Sequence, residues 1–372
     1  MQPIRVLMFL GEPIANGGQE KFILNMLQNF DTSRVVFDIF SPFEVLSEET
    51  KEKFEVLGCV VSAAGLGFDE NKNEHLKTAA KNFFANNKYN IVHIHSGSIY
   101  ALMTAARIAR KSGAKRVIVH SHCGGFANLK YRVIKVLSFY PMLKYPTDYF
   151  ACSHLAARWK FPTPIIKKNK YTVIKNAVDL EKLHFDKELR DTARARLGLE
   201  NNLVLGHVGR FALQKNHSFL LDVFAQVLNM RDDARLVLVG EGELLDQTLA
   251  KAKHLGIDDK IIYLGVRRDI DALMNAFDVF VMPSFFEGLP IVGVEAQATG
   301  LPVVTSTGVT RELPIDSLCR YIPLENTAQE WANEVLHSAD YVRRDTRKEM
   351  ADAGYEIKSA AAALQKRYEE MV

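Results

Sequence analysis

The residues best suited to chemistry lie in two short stretches of the second half of the chain. Gly209-Arg210-Phe211-Ala212-Leu213-Gln214-Lys215-Asn216-His217 follows the apolar run Leu203–Val208. Pro283-Ser284-Phe285-Phe286-Glu287-Gly288-Leu289-Pro290-Ile291-Val292-Gly293-Val294-Glu295-Ala296 follows the apolar run Val279–Met282. Arg210 offers a bidentate guanidinium and Lys215 a compact point charge. Together they suit a diphosphate whose charge grows as a bond to it breaks; two surface cations are the plainer alternative. Pro290 marks the first turn of a helix that Thr299-Gly300 closes. Glu287 precedes that helix and Glu295 lies two turns inside it, so the carboxylates reach different parts of one ligand. They suit paired hydroxyls, one set on a sugar ring and the other on a ribose. The helix opens Ile-Val-Gly-Val, a poor helix former, and a local rule broken without structural gain marks a functional segment. Amides from Gly288 onward can face a phosphate or sugar. A helix cap plus a solvated glutamate accounts for the same residues.

In the first half, Gly11-Glu12-Pro13-Ile14-Ala15-Asn16-Gly17-Gly18-Gln19-Glu20 links an apolar strand to a helix. Paired glycines there let backbone amides approach an anion, with the helix start adding partial positive charge; a plain tight turn reads equally well. His93-x-His95 and His120-x-His122-Cys123 each put zinc-type ligands on one face of a strand. No further ligand at regular spacing accompanies either pair, so no metal is expected, and His93 reads as a core residue or partner of a backbone carbonyl. Asp269-Ile270-Asp271 spells a metal-binding pattern, but it opens a helix, where Asp serves as an N-cap. Asn216-His217-Ser218 matches a glycosylation sequon, which has no meaning in a cytosolic protein.

These loops must be held by strands. Apolar runs at Ile4–Leu10, Val35–Phe40, Ile91–His95, Arg116–His120 and Tyr149–Cys152 alternate with helical patterns. A second series follows at Tyr171–Lys175, Leu203–Val208, Arg235–Val239, Lys260–Leu264, Val279–Met282 and Pro302–Thr305. Short strands separated by helices give parallel βαβ units, here in two sets. The boundary falls near Phe161-Pro162-Thr163-Pro164 and Lys167-Lys168-Asn169-Lys170. Open α/β sheets bind ligands beyond the carboxyl ends of their strands, so two such domains are expected to face a central cleft. The tail from about Arg344 to Val372 reads as mostly helical.

The 372 residues suit two domains, and the net charge of +3 hides an asymmetry. Residues 1–180 carry 24 Lys/Arg against 14 Asp/Glu, whereas residues 181–372 carry 23 against 30. Residues 101–175 hold 15 basic residues and one acid, Asp148. Such a patch attracts phosphates, anionic lipid or nucleic acid. Within it, Leu129–Tyr145 mixes Lys130, Arg132, Lys135 and Lys144 with Val133, Ile134, Val136, Leu137, Phe139 and Leu143. That pattern reads as a membrane-surface helix rather than a packing helix. No signal peptide or membrane-spanning run is seen. Cys59, Cys123, Cys152 and Cys319 are scattered and read as reduced thiols. A cytoplasmic protein, peripheral on the inner face of the cell membrane, is expected.

The stretch Glu287-x7-Glu295, with Gly288-Leu289-Pro290 inside it, resembles the Glu-x7-Glu motif of retaining glycosyltransferase family 4, which has the GT-B fold. The resemblance spans nearly the whole chain. It takes in Gly17-Gly18-Gln19-Glu20, His120-Ser121-His122, Thr147–Ser153, Ile174–Asp179, Gly209-Arg210-Phe211 with Gln214–His217, and Val239–Glu243. Within the family the chain is most similar to bacterial exopolysaccharide and capsule transferases. Asn176-Ala177-Val178-Asp179 departs from the commoner Asn-Gly-Val-Asp at an interdomain connection.

The resemblance implies an α/β GT-B fold of two doubly wound Rossmann-like domains. Residues 1–168 would form the acceptor side and 169–352 the nucleotide-sugar domain, with helix 353–372 packing back on the first. It implies that Arg210 and Lys215 hold the donor diphosphate, Glu295 the ribose and Glu287 the sugar. Amides of Gly17, Gly18, Gly288 and Leu289, with Pro290 and Ile291 beside them, would approach sugar or phosphate. Val266 and Arg267 would lie beside the base, and His120 near the reacting centre. It further implies a retaining, metal-independent transfer without a cofactor, from a nucleotide diphosphate sugar, UDP in most similar enzymes and GDP in others. The basic half then faces a lipid-diphosphate-linked or oligosaccharide acceptor and the anionic membrane, not nucleic acid.

Three rival readings fit less well. A nicotinamide dehydrogenase would need Gly-x-Gly-x-x-Gly at the first βα turn, which is missing; Gly240-Glu241-Gly242 lacks the third glycine. A scaffold or RNA-binding protein has no use for the Arg–Lys loop and the glutamate pair. The chain is short for a pyridoxal-phosphate phosphorylase of this fold.

Overall fold

The computed structural model describes residues 3–122, 124, 125 and 129–372, and only the backbone of 129–132. Cys123 and the side chains of Lys130 and Arg132 therefore lie outside what is described. The chain divides into two compact units, residues 1–177 with 357–372, and residues 178–356.

The first unit is built on β1 (Ile4–Leu10), β2 (Val35–Phe43), β3 (Val60–Leu66), β4 (Ile91–His95), β5 (Arg116–Ser121), β6 (Asp148–Ala151) and β7 (Thr172–Val173). Their order in the sheet is 3-2-1-4-5-6-7, and all neighbours pair in parallel. β1 is a near-continuous apolar run and β4 is buried along its whole length, as strands covered on both faces must be. The topological switch lies between β1 and β4, where helices leave in opposite directions and ligands of such sheets bind. Sequence spacing assigns Tyr171–Lys175 to the second series. Instead β7 is an edge strand of the first sheet, paired through Phe150–Thr172 and Ala151–Val173. The prolines at Pro162 and Pro164 therefore interrupt helices within the first unit, not the junction. The C-terminal helix Ile357–Glu369 also belongs here. Tyr368 is fully buried beside Phe30 and Phe37, the Asp31 amide donates to Gln365 Oε1 at 2.8 Å, and Arg34 pairs with Glu369.

The second unit is built on β8 (Val204–Val208), β9 (Arg235–Val239), β10 (Ile261–Tyr263), β11 (Val279–Met282), β12 (Val303–Ser306) and β13 (Cys319–Ile322). Their order is 10-9-8-11-12-13, again parallel throughout, with the switch between β8 and β11. Leu205, Leu236, Leu238, Val279 and Val281 pack beneath Leu220, Phe224 and Val227 of the helix His217–Met230, and Trp331 closes the cluster. The indole N–H of Trp331 donates to the Pro323 carbonyl at 3.0 Å, so its polar end is satisfied. Gly240 sits at φ +130°, and a Cβ there would lie 2.1 Å from the Gly209 carbonyl oxygen. Only glycine lets the loop after β9 press against the loop after β8. That contact fixes the backbone entering Arg210: the Gly209 amide donates to Val239 O and the Phe211 amide to Glu241 O.

Candidate functional site

The two stretches that sequence singles out meet at the switch point of the second sheet. A short 3-10 turn, Leu213–Lys215, follows β8, and Asn216 turns the chain at φ 56° into the next helix. Gln214 ties this turn to the loop after β11: its carbonyl accepts from the Phe285 amide at 2.8 Å and its side-chain amide donates to Phe286 O at 3.0 Å. Lys215 Nζ thereby comes to 2.7 Å from Glu287 Oε1, with side chains only 15% and 10% exposed. The Glu287 amide donates to Gly308 O, and Glu287 bridges Val309, so the carboxylate is set from both sides. Beneath the pair lie His207 and His217, ring centroids 4.6 Å apart. Burial pushes His207 down to about 4 and His217 lower still, with the Lys215 charge acting in the same direction. The ammonium thus rests on neutral imidazoles.

Arg210 does not join this pair. Its guanidinium is 74% exposed and lies 3.1 Å from Glu243. An exposed pair of this kind contributes at most about 1 kcal/mol, so exchanging Glu243 for an anionic ligand costs little. Glu295 is buried at 2% exposure on the helix Ile291–Ala298, for which Pro290 stands at the N-cap position rather than in the first turn. Gly288, Leu289, Pro290 and Ile291 are all buried around the helix start. Gly293, read from sequence as a functional irregularity, has a packing reason: a Cβ there would lie 3.0 Å from Leu313 and 3.3 Å from Pro290. Val266 and Arg267 are exposed on the loop after β10. Asp269 occupies the N-cap of Ile270–Ala276 without capping it; its carboxylate accepts from Arg267 Nε and Nη2 at 2.9 and 2.7 Å.

In the first unit the Gly17-Gly18 turn already serves a carboxyl group, the chain's own Glu20. The helix Gly18–Leu27 begins there, and a Cβ on Gly17 would lie 2.7 Å from Glu20 Oε2. Burial raises Glu20 to about 7 against the opposing backbone hydrogen bonds from residues including Ala15 and Gly17, and the nearby Glu12 pushes it the same way as burial. Glu12 bridges the switch point, its carboxylate accepting from Ser96 Oγ at 2.7 Å and the Gly97 amide at 2.9 Å. Buried Lys160 donates to Gly97 O.

The histidine pairs converge as sequence spacing alone does not reveal. Parallel register sets His95 opposite His120, so β4 and β5 bring His93, His95, His120 and His122 into one array. One ring nitrogen each from His93, His95 and His120 lies within 4.8 Å of the others. The absence of a third ligand at regular spacing is therefore no argument against a metal, because the third comes from the adjacent strand. The nitrogens are engaged pairwise: His93 Nε2 lies 3.1 Å from His120 Nδ1, with ring planes 5° apart, and His95 Nδ1 lies 2.8 Å from His122 Nε2. His93 Nδ1 meets the Tyr368 hydroxyl at 2.7 Å rather than a backbone carbonyl. His120 has no exposed surface and is enclosed by Phe22 and Phe150. No surface of His120 is therefore open to a ligand in this structure. The residue of the four with partial exposure is His122, just past this strand end.

Two parallel-sheet Rossmann-like units, each with polar loops at its switch point, define the GT-B glycosyltransferase architecture. The crystal structure of Anabaena HepE in complex with UDP-glucose matches with a TM-score of 0.72 at 18% identity, covering 98% of both chains. The Thermosynechococcus elongatus sucrose-phosphate synthase matches with a TM-score of 0.75 at 15% identity, covering 99% of each. Residues 202–340 match the family described as glycosyl transferases group 1, so the second unit carries a domain of that group. It is 29% identical to the putative glycosyltransferase EpsF of Bacillus subtilis over 356 residues, 94% of this chain and 92% of that one. It is 33% identical to an Escherichia coli UDP-Gal:alpha-D-GlcNAc-diphosphoundecaprenol alpha-1,3-galactosyltransferase over 233 residues, 59% of this chain and 58% of the relative.

Proposed function

We propose that the chain transfers a hexosyl unit from a UDP-sugar, with retention and without a metal, to a lipid-diphosphate-linked or oligosaccharide acceptor in bacterial polysaccharide synthesis. The observation that carries this reading is the Lys215–Glu287 pair at the switch point of the group 1 domain. Lys215 supplies positive charge where the leaving diphosphate develops its negative charge, and exposed Arg210 adds a bidentate partner. Glu287 then turns an oxygen toward the sugar hydroxyls, while Glu295 anchors the ribose. Val266 and Arg267 lie beside the base. In the first unit His122 takes the ligand-facing role that enclosed His120 cannot fill. The E. coli relative, whose donor is UDP-Gal and whose acceptor is a diphosphoundecaprenol, supports the choice of both substrates.

The membrane side of the reading rests on the helix Leu129–Lys144, which leaves Val136, Leu137 and Tyr140 at 74%, 69% and 65% exposure, with Lys144 at its end. Exposed apolar groups beside cations suit an anionic bilayer surface. No helix among the described residues is long and apolar enough to cross a membrane. The test is transfer from a panel of UDP- and GDP-hexoses to an undecaprenyl-diphosphate sugar, with and without EDTA. An α-linked product from a UDP donor, at the same rate in EDTA, is expected. Transfer only from GDP donors, an inverted linkage or loss of activity in EDTA would each overturn the corresponding part.

A further inference from the structure

Four imidazoles crowd the carboxyl ends of β4 and β5, and their hydrogen bonds fix where the protons sit. Each close nitrogen pair, His95 Nδ1 with His122 Nε2 and His93 Nε2 with His120 Nδ1, needs one N–H and one lone pair. Burial lowers the pKa of all four rings, that of His122 to about 3, so each is neutral and owns one proton. The outer nitrogens decide which atom carries it. His95 Nε2 and His120 Nε2 are enclosed without a partner among the described residues. A buried N–H with no acceptor is the rarer defect in proteins, so His95 Nε2 is a lone-pair end and the His95 proton sits on Nδ1. His95 then donates to His122 Nε2, which leaves His122 its single proton on Nδ1.

His122 is the member of the array with exposed surface, and nothing among the described residues takes its Nδ1 proton. We propose that His95 is a positioning residue that locks His122 as the Nδ1–H tautomer. His122 thereby presents a hydrogen-bond donor, not a base, to a lone-pair oxygen of the ligand at this end of the first sheet. That the oxygen belongs to a sugar or diphosphate rests on the glycosyl-transfer reading; the tautomer does not.

The experiment is long-range 15N–1H NMR of the imidazoles in the full chain, wild type against His95→Phe and His95→Gln, with turnover measured alongside. In the wild type His122 should show a protonated Nδ1 and a bare Nε2. His95→Phe should give a tautomer mixture and a turnover loss of roughly tenfold or more with KM little changed, while His95→Gln, whose amide can donate, should restore both. A protonated Nε2 on His122 in the wild type overturns the proposal, and that spectrum decides even if His95→Phe fails to fold. Wild-type turnover in His122→Phe, which has no donor, would overturn the donor role. Absence of transfer from any nucleotide sugar would instead sink the glycosyl-transfer reading, with the tautomer still read directly.

Discussion

Replacing Lys215 by Met separates what the Lys215–Glu287 pair does for the fold from what it does for the reaction. At 2.7 Å and an effective dielectric of about 20, the two charges attract by about 6 kcal/mol. Desolvating both groups cancels most of that, so the intact pair adds little net stability. Removing the lysine alone leaves Glu287, 10% exposed, without its counter-charge, at a cost of about 3–5 kcal/mol. For a unit of this size that lowers the melting temperature by roughly 10 °C. The double variant Lys215→Met/Glu287→Gln removes both charges and should melt within a few degrees of wild type. Turnover should behave differently. Both variants lack the cation that meets the leaving diphosphate, and both should lose roughly 100- to 1,000-fold in kcat. Differential scanning calorimetry and steady-state transfer on the same preparations provide the two readouts. If the single variant melts with wild type, the pair is not the buried element described. If the double variant regains turnover, the lysine is not the diphosphate partner.

Three further outcomes follow from other parts of the structure. Glu20 is raised from 4.5 to about 7, so the folded state holds its proton more tightly; its stability contribution is full below about pH 4.5 and lost as pH rises through 7. Wild type should lose about 3 kcal/mol across that window by urea titration, and Glu20→Gln, which keeps an acceptor for the Gly17 amide, should flatten the slope; an unchanged slope refutes the assignment. Gly240→Ala forces a Cβ to within 2.1 Å of Gly209 O at φ +130°. It should cost a few kcal/mol and loosen the Arg210 loop, so wild-type stability by chemical denaturation would contradict the packing described. Leu137→Asp should weaken sedimentation with anionic vesicles roughly 10- to 100-fold while leaving transfer to a water-soluble acceptor unchanged. Equal binding would remove the helix Leu129–Lys144 from the membrane reading.

Residues buried on both faces made the strands legible. Ile4–Leu10, Ile91–His95, Arg235–Val239 and Val279–Met282 are largely apolar runs and lie where sequence places them. β3 escapes the same reading because, as the exposed edge of its sheet, it carries Ser, Ala and Gly rather than a hydrophobic run. β7 is two residues long, and only pairing with β6 reveals which sheet it serves. The loop carrying Arg210 and Lys215 was legible as two cations beyond the carboxyl end of a strand. Its coupling to Glu287 through Gln214 was not, because the two segments are 72 positions apart and meet only once β8 and β11 become neighbours. The histidine array shows the same limit. Each His-x-His pair is visible along its own strand, whereas the register that joins them, and the exposure that favours His122 over His120, belong to the sheet.

The central claim, that the switch point of the second unit holds a nucleoside diphosphate through Lys215 and Arg210, is tested most directly by UDP itself. Calorimetric melting of the wild type with UDP at a hundredfold excess over its Kd should show about 2.7 kcal/mol of added stability. Lys215→Met/Glu287→Gln, melting near wild type without ligand, should lose most of that gain. No shift with UDP or GDP, even in large excess, or an undiminished shift in the double variant, would contradict the account.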